Sequence, residues 1–556
     1  MSDIAQKQKN LALKAKERPN DRIGGLYSII CEKEWIIQSL NNVLQNVGAK
    51  TEGIDGKTKV TYYDIVTKSL TSQGVKLIEE IYRELKENTY KPQPVKRIYI
   101  PKANGKMRPI GIPTIKDRVV QEAIRMVLEP IYESDFLKCS YGFRPNRNTM
   151  DAISNCYRTM NIRVKYYWVI EGDIKGCFDN IDHKILMKLI KNRIADRKLT
   201  DTIYKCLKAG YQEDNGQICK PNVGTPQGGI ISPLLANVYL HEMDKWWEQN
   251  YHLSIYKRTA RRKRGLGNFY LIRYADDFII LSNGRKEEVY RLKEELSNFL
   301  KAMKLELSEE KTKVTHAKDG FDFLGFHIRQ HKGVKAVLIK PTRTNIQKIK
   351  DEIGRILDRR NHEHAVTDVI QALNPILRGW ANYYRFVNSK ETLHEIQLYS
   401  RIKFLKWYRG KYQVSLRKGT IKALEWVDRD RNPHIYSMSN ETTVKRYIPR
   451  FRNSENSYII GRLTKEYENP FIESKWFGQA SRDGDLKLEC FKRDKGICQL
   501  CMGCKTNIEA HHIIPLNENG EDTLENLITL CEPCHKRVTN EIGWKEFRRL
   551  MESRVR

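Results

Sequence analysis

The stretch LIRYADDFIILSNG, residues 271–284, constrains the fold more than any other. Apolar and aromatic residues flank two adjacent acids, Asp276 and Asp277. The pattern reads as a hairpin of buried strands, and such strands do not carry two carboxylates without a cation to pair with. Successive side chains of a strand face opposite ways, so neighbours reach one site only where a turn twists the backbone. Holding two hard cations needs a third acid. WVIEGDIKGCFDNIDH, starting at Trp168, places Asp173 at the C-terminal end of a buried strand just before a helix. Carboxylates that meet across a sheet at strand ends can bind two Mg²⁺ about 4 Å apart, the arrangement for in-line attack at phosphorus. Taken alone, YADD is also compatible with an acidic turn of no function.

Composition narrows the setting. The chain has 556 residues, enough for three to five folding units, and 40% are hydrophobic, enough for real cores. Lys and Arg number 99 against 68 Asp and Glu, a net charge of +31 spread along most of the length. A basic surface of this size suits a polyanion partner better than a membrane surface. No run of 18 apolar residues occurs and the first residues are polar, which argues against a transmembrane helix or secretory signal. A cytoplasmic, reducing setting is expected. Five of the 12 cysteines crowd between Cys498 and Cys534, a metal pattern and not a disulfide framework.

Residues 1–60 read as a polar, partly helical N-terminal extension. Short β-rich and helical runs alternate from 61 to 335. VKRIYIPKANGKMRPIGIP (95–113) reads as two strands about an NG turn, and KDRVVQEAIRMVLEPIYE (116–133) has helical periodicity. Residues 336–425 are helical, 426–485 basic and irregular, and 486–556 a small Cys/His module. YKRTARRKRGLG (256–267) packs six basic residues, among them Arg261, Arg262, Lys263 and Arg264, into an expected loop. Such a run is usually a solvated loop, and it also suits contact with a phosphate backbone. In the helical segment, Lys403, Lys406 and Arg409 fit phosphate contact, while Trp380 and Tyr384 read as core.

The order of blocks carries a resemblance. YADD follows DIKGCFDNIDH, with GTPQGGIISPLLANVYL (224–240) between them, as in the reverse transcriptase palm. RPIGIPTIKDRVVQEAI, SYGFRPNRNTMDAI (140–153) and FDFLGFHI (321–328) resemble those of group II intron-encoded proteins, over nearly the whole chain. The fold this implies is α+β and multidomain. It has right-hand polymerase fingers and palm with an antiparallel sheet, a helical thumb or maturase domain, a DNA-binding region, and a small zinc-containing ββα HNH module. The resemblance makes Asp173, Asp276 and Asp277 ligands of two Mg²⁺, Asp277 contributing least. It sets Phe178 against the sugar 2′-position and Gln227 beside the templating base, with Gly228 and Gly229 letting backbone come close. It makes Lys102 and Arg108 clamps on the triphosphate, and Lys311 a group that could protonate the leaving pyrophosphate. Parent intron RNA, target DNA, dNTPs and a second copy of the chain are the partners it brings, with no membrane. The setting would be a bacterial cytoplasm, near the nucleoid when on DNA, or alternatively an organelle.

The C-terminal module reads more directly. Cys498 with Cys501, and Cys531 with Cys534, are two CxxC knuckles 29 residues apart, spacing for a closed structural Zn²⁺ site; Cys504 is a poorer candidate. EAHHIIPLNENGEDTLENLITLC between them resembles the HNH nuclease motif. That match makes His512 the general base, His511 and His535 ligands of one divalent ion (Mg²⁺ or similar), and Asn526 the residue that fixes the base's loop. Asn540 stands where several relatives have a further histidine, and can still offer an oxygen. A zinc ribbon that only binds DNA explains the cysteines but not His511, His512 and Asn526. A catalytically silent splicing factor of the same fold is disfavoured by the intact acids.

Overall fold

The computed structural model describes residues 3–415 apart from 102–104, 106, 162–165, 221–222, 226–227 and 332–336, together with parts of 490–549. Contacts divide the chain into two compact units, Met1–Tyr467 and Glu468–Arg556. The expected DNA-binding region, 426–485, lies outside the described residues.

The first unit is built around the helix Ile115–Asp135. Thr114 caps it, its side chain accepting from the Asp117 amide, and most of its residues are buried. A helix apolar on more than one face must be covered from several sides. The helices Asp3–Glu17 and Lys33–Gln45 do this. Trp35, fully buried, donates its indole N–H to the Ala123 carbonyl at 3.0 Å. Leu11, Leu26 and Trp35 thus share one core with palm residues such as Ile170 and Ile280, so the N-terminal segment is integral to the unit.

Four antiparallel strands carry the acids, in the order Lys313–His316, Trp168–Asp173, Asp277–Ser282, Phe269–Tyr274. The two central strands bury Val169, Ile170 and Phe278 to Leu281 without a polar break. That continuous apolar run is what a sheet covered on both faces requires. A second sheet joins the hairpin Val95–Pro101/Met107–Ile112 to Tyr211–Gln212 and Ile218–Cys219. Within this sheet Val95 and Tyr211 pair in parallel. A third sheet, Phe321–Phe323, Phe326–Gln330 and Val337–Pro341, leads into the helices Arg343–Ile356, Val366–Tyr384 and Lys390–Tyr412. These three share a core of Ile353, Leu373, Leu377, Phe404 and Trp407. Tyr384 is buried and Trp380 packs against the same cores, as the sequence suggested.

One expectation is corrected. The basic run is a helix, Ile255–Lys263, and not a loop. Ser254 caps it by accepting from the Lys257 amide, and Lys, Arg and Ala are good helix formers. No helix among the described residues is long and apolar enough to cross a membrane.

In the second unit, Ile508–His512 pairs antiparallel with Leu527–Cys531, and the short helix Glu532–Arg537 follows. Leu530, Val538, Phe547 and Cys498 form its core.

Candidate active sites

The hairpin of Phe269–Tyr274 and Asp277–Ser282 brings the three acids together. Tyr274 pairs with Asp277, leaving Ala275 and Asp276 at the tip of a two-residue turn. Ala275 takes a φ of 57°, as tight hairpins demand. This twist lets both acids serve one site. Asp173 is the cross-strand partner of Asp277 in the Cα register. Gly172, one residue earlier, lies opposite Phe278, and a Cβ there would fall 2.1 Å from the Phe278 ring. Glycine therefore lets the two acid-bearing strands close fully.

Crowding of like charge shows in the titration. Burial first, then Asp276 and Asp173, push the Asp277 carboxyl up to about 7. Asp276 is also raised, by burial and by Asp173, against the pull of Lys311 and Arg108. Lys311 sits 2.9 Å from Asp173 Oδ2, and this bond raises the lysine's own pKa. Three carboxylates so short of positive charge fit a pair of hard cations. Beside them opens a cleft of about 370 Å³, lined by Asp173, Asp277, Lys311, Leu324 and Asn345. Lys311 therefore borders the third sheet and the first thumb helix, while Arg108 acts on Asp276 from the strand Met107–Ile112.

Phe178 is partly buried on the one-turn helix Cys177–Asn180. Its carbonyl accepts from the Thr225 amide at 2.8 Å, and His183 Nε2 donates to the Gly224 carbonyl at 2.6 Å. These bonds tie the start of the TPQGG loop to the segment after Asp173. Gly228 has φ of 117°, and a Cβ there would lie 2.4 Å from the Gly111 carbonyl oxygen. Its close approach is thus to the fingers strand, a constraint the sequence did not reveal. Lys102, Gln227 and Asn540 lie outside the described residues.

A buried network supports the turn. Arg273, with no exposed surface, donates to both carboxylate oxygens of Asp244 at 2.8 and 2.5 Å. It also donates to Ser140 Oγ at 2.8 Å, Asn237 Oδ1 at 3.2 Å and the Ala275 carbonyl at 3.0 Å. Burial alone would raise Asp244, but the guanidinium reverses this and holds the carboxyl well below the usual range. Sequence reasoning missed these residues. The available signal was an arginine inside the apolar run that precedes the acids.

On the helix Ile255–Lys263 and just beyond it, Arg262, Lys263 and Arg264 are exposed, whereas Arg261 is partly tied down by the Gly267 carbonyl at 2.9 Å. In the thumb, Lys406 is exposed, Lys403 lies over the Tyr399 ring at 5.6 Å, and Arg409 is half-buried.

In the second unit the alternation of the strand separates the two histidines. His511 turns toward the helix, its ring 4.7 Å from that of His535 and 5.8 Å from Phe547. Burial, then His535 and His512, bring its pKa down to about 4, so it is neutral and ready to ligate. Asn526 spans the loop, accepting from the Ile514 amide and donating to the Ile514 carbonyl, both at 2.9 Å. Cys498, Cys501, Cys531 and Cys534 place their sulfurs within 4.8 Å of one another. The Cys501–Cys531 separation is 4.0 Å, near the roughly 3.8 Å that a tetrahedral zinc thiolate site implies. Burial and the neighbouring Cys531 thiol push the Cys534 thiol well up.

Comparison with known proteins matches three segments of the chain to families. Residues 100–328 match the reverse transcriptase (RNA-dependent DNA polymerase) family, 346–425 the group II intron maturase-specific domain, and 498–541 the HNH endonuclease family. The chain is 32% identical to the group II intron-encoded protein LtrA of Lactococcus lactis, over 93% of this chain and 96% of that one. It is 37% identical to protein YkfC of Escherichia coli, over 58% of this chain and 88% of that one. It is 30% identical to an uncharacterized 91 kDa protein of the cob intron of Schizosaccharomyces pombe, over 96% of this chain and 72% of that one.

Proposed function

Because the chain belongs to the group II intron-encoded proteins, with their reverse transcriptase, maturase and HNH endonuclease domains, we propose that Asp173, Asp276 and Asp277 hold two Mg²⁺ ions at which intron RNA is copied into DNA. The observation that carries this is the pairing of Asp173 with Asp277 beside the Asp276 turn. A magnesium pair there would lower the pKa of the primer 3′-hydroxyl and steady the leaving pyrophosphate. The chain's own side chains supply the rest. Arg108 meets the triphosphate charge, and Phe178 stands against the sugar. Lys102 and Gln227 keep the phosphate and template-side roles of the resemblance. Lys311 stays protonated at neutral pH and holds its proton beside Asp173, within reach of the site.

The maturase domain and polymerase bind intron RNA. Arg262, Lys263 and Arg264, with Arg261 behind them, and Lys403, Lys406 and Arg409 are the phosphate contacts we assign. By preferring the folded intron, the protein would shift it toward its splicing-competent state. In the second unit, His512 takes the proton of the attacking water while His511 and His535, with Asn540, hold a divalent ion. Asn526 fixes the loop, and the four cysteines hold a structural Zn²⁺. The nick leaves a 3′-hydroxyl on target DNA, and that is the primer the palm requires. The Lactococcus relative favours a bacterial cytoplasm for the ribonucleoprotein.

Primer extension on an RNA template tests the polymerase reading. Incorporation of dNTPs with Mg²⁺, lost when Mg²⁺ is withheld, is the expected result. No incorporation would leave a splicing factor that has kept only the fold.

A further inference from the structure

We propose that Phe143 is a positioning residue that braces Phe178, so that the two rings together set how strongly the polymerase site rejects ribonucleotides. The proposal rests on the assignment of Phe178 to the sugar-facing position.

Phe143 is 52% exposed, and its φ is 56°. A bulky side chain rarely adopts this left-handed backbone, and such strain persists only where the surroundings enforce it. Here both neighbours enforce it. The Gly142 carbonyl accepts from Asn237 Nδ2 at 2.8 Å, and a Cβ on Gly142 would lie 2.4 Å from the Ala275 nitrogen. On the other side, Arg144 is buried against Glu133 at 2.9 Å and donates to the Leu137 and Ser140 carbonyls. Phe143 is therefore held rigidly between the catalytic turn and a buried ion pair.

Its ring meets Phe178 edge-on, centroids 6.1 Å apart and planes at 84°. Phe178 needs outside support, because its helix is a single turn entered through Gly176 in the left-handed region. One turn has little stability of its own. The Thr225 amide fixes the Phe178 backbone, and the Phe143 edge restrains the ring. A ring free to swing away would admit a 2′-hydroxyl.

The test is single-nucleotide incorporation on an RNA template with dCTP and CTP, comparing kcat/KM. Phe143→Gly suits the local φ and removes the ring; Phe143→Tyr restores the aromatic edge. The dCTP/CTP preference should fall on the order of three- to tenfold in Phe143→Gly, the value of one edge-on aromatic contact, and return in Phe143→Tyr. The change should be carried by KM for CTP. Equal loss for both nucleotides, with the preference unchanged, would mark a merely structural residue and overturn the brace. Phe178→Ala separates the two ideas. If it lowers the preference while Phe143→Gly does not, the brace alone fails. If Phe178→Ala leaves the preference intact, the sugar-facing assignment fails and the brace with it.

Discussion

Arg273 and Asp244 form a doubly bonded ion pair with neither side chain exposed, and the same guanidinium holds the Ala275 carbonyl in the catalytic turn. The pair connects the long helix Ser232–Tyr251 to the tip that presents Asp276.

Removing one partner should be costly. Asp244→Asn leaves a buried guanidinium without its counter-charge, a loss of about 3–5 kcal/mol. Replacing both residues with apolar ones of similar volume should restore much of that stability while leaving the turn loose. Denaturant titration checks the first statement, and primer extension by the double variant the second.

The pair also sets an acid limit. The Asp244 pKa is depressed on folding, so its contribution is fully present above the ordinary aspartate value and is lost as pH falls through the native one. Thermal melts should show wild type losing stability below about pH 4. Asp244→Asn should show a shallower slope there.

Asp277 behaves in the opposite sense. Its pKa rises to about 7 on folding, so the native state holds a proton that the unfolded chain gives up. Stability without metal should therefore fall as pH rises from about 4 to 7. Mg²⁺ should raise the Tm more at pH 8 than at pH 5.5. Asp277→Asn should remove most of that difference. Melts with and without Mg²⁺ at the two pH values decide it.

Gly142 cannot accept a side chain. Gly142→Ala puts a methyl 2.4 Å from the Ala275 nitrogen, so the catalytic turn must shift. A displacement near 1 Å costs about 100-fold in rate. Polymerisation should fall by that order, with DNA nicking unaffected.

The four-cysteine cluster predicts a metal dependence confined to the second unit. Cys531→Ser, or prolonged chelation, should release one zinc per chain, measured by elemental analysis. Nicking should stop while RNA-templated synthesis persists once Mg²⁺ is restored.

Much of this was legible in the sequence because the site is built from strand ends. Paired acids in an apolar run imply a hairpin tip, and a third acid closing another apolar strand implies its neighbour. The CxxC spacing likewise reports locally the four cysteines whose sulfurs meet within 4.8 Å of one another. What stayed hidden depends on tertiary approach. The need for glycine at 142, 172 and 228 arises from Ala275, Phe278 and Gly111, which are distant in the chain. Asp244 lies 29 residues from Arg273, on a helix whose buried face looks ordinary. The basic run 256–264 reads as a loop from its charge density, whereas a serine cap and good helix formers make it a helix with no buried residue.

The most direct test compares two single variants in two assays. Asp276→Ala should abolish dNTP incorporation on an RNA template and still nick target DNA within the ribonucleoprotein. His512→Ala should do the reverse. Incorporation that survives in Asp276→Ala, or loss of both activities from either change, would contradict a palm metal site that works independently of the nuclease.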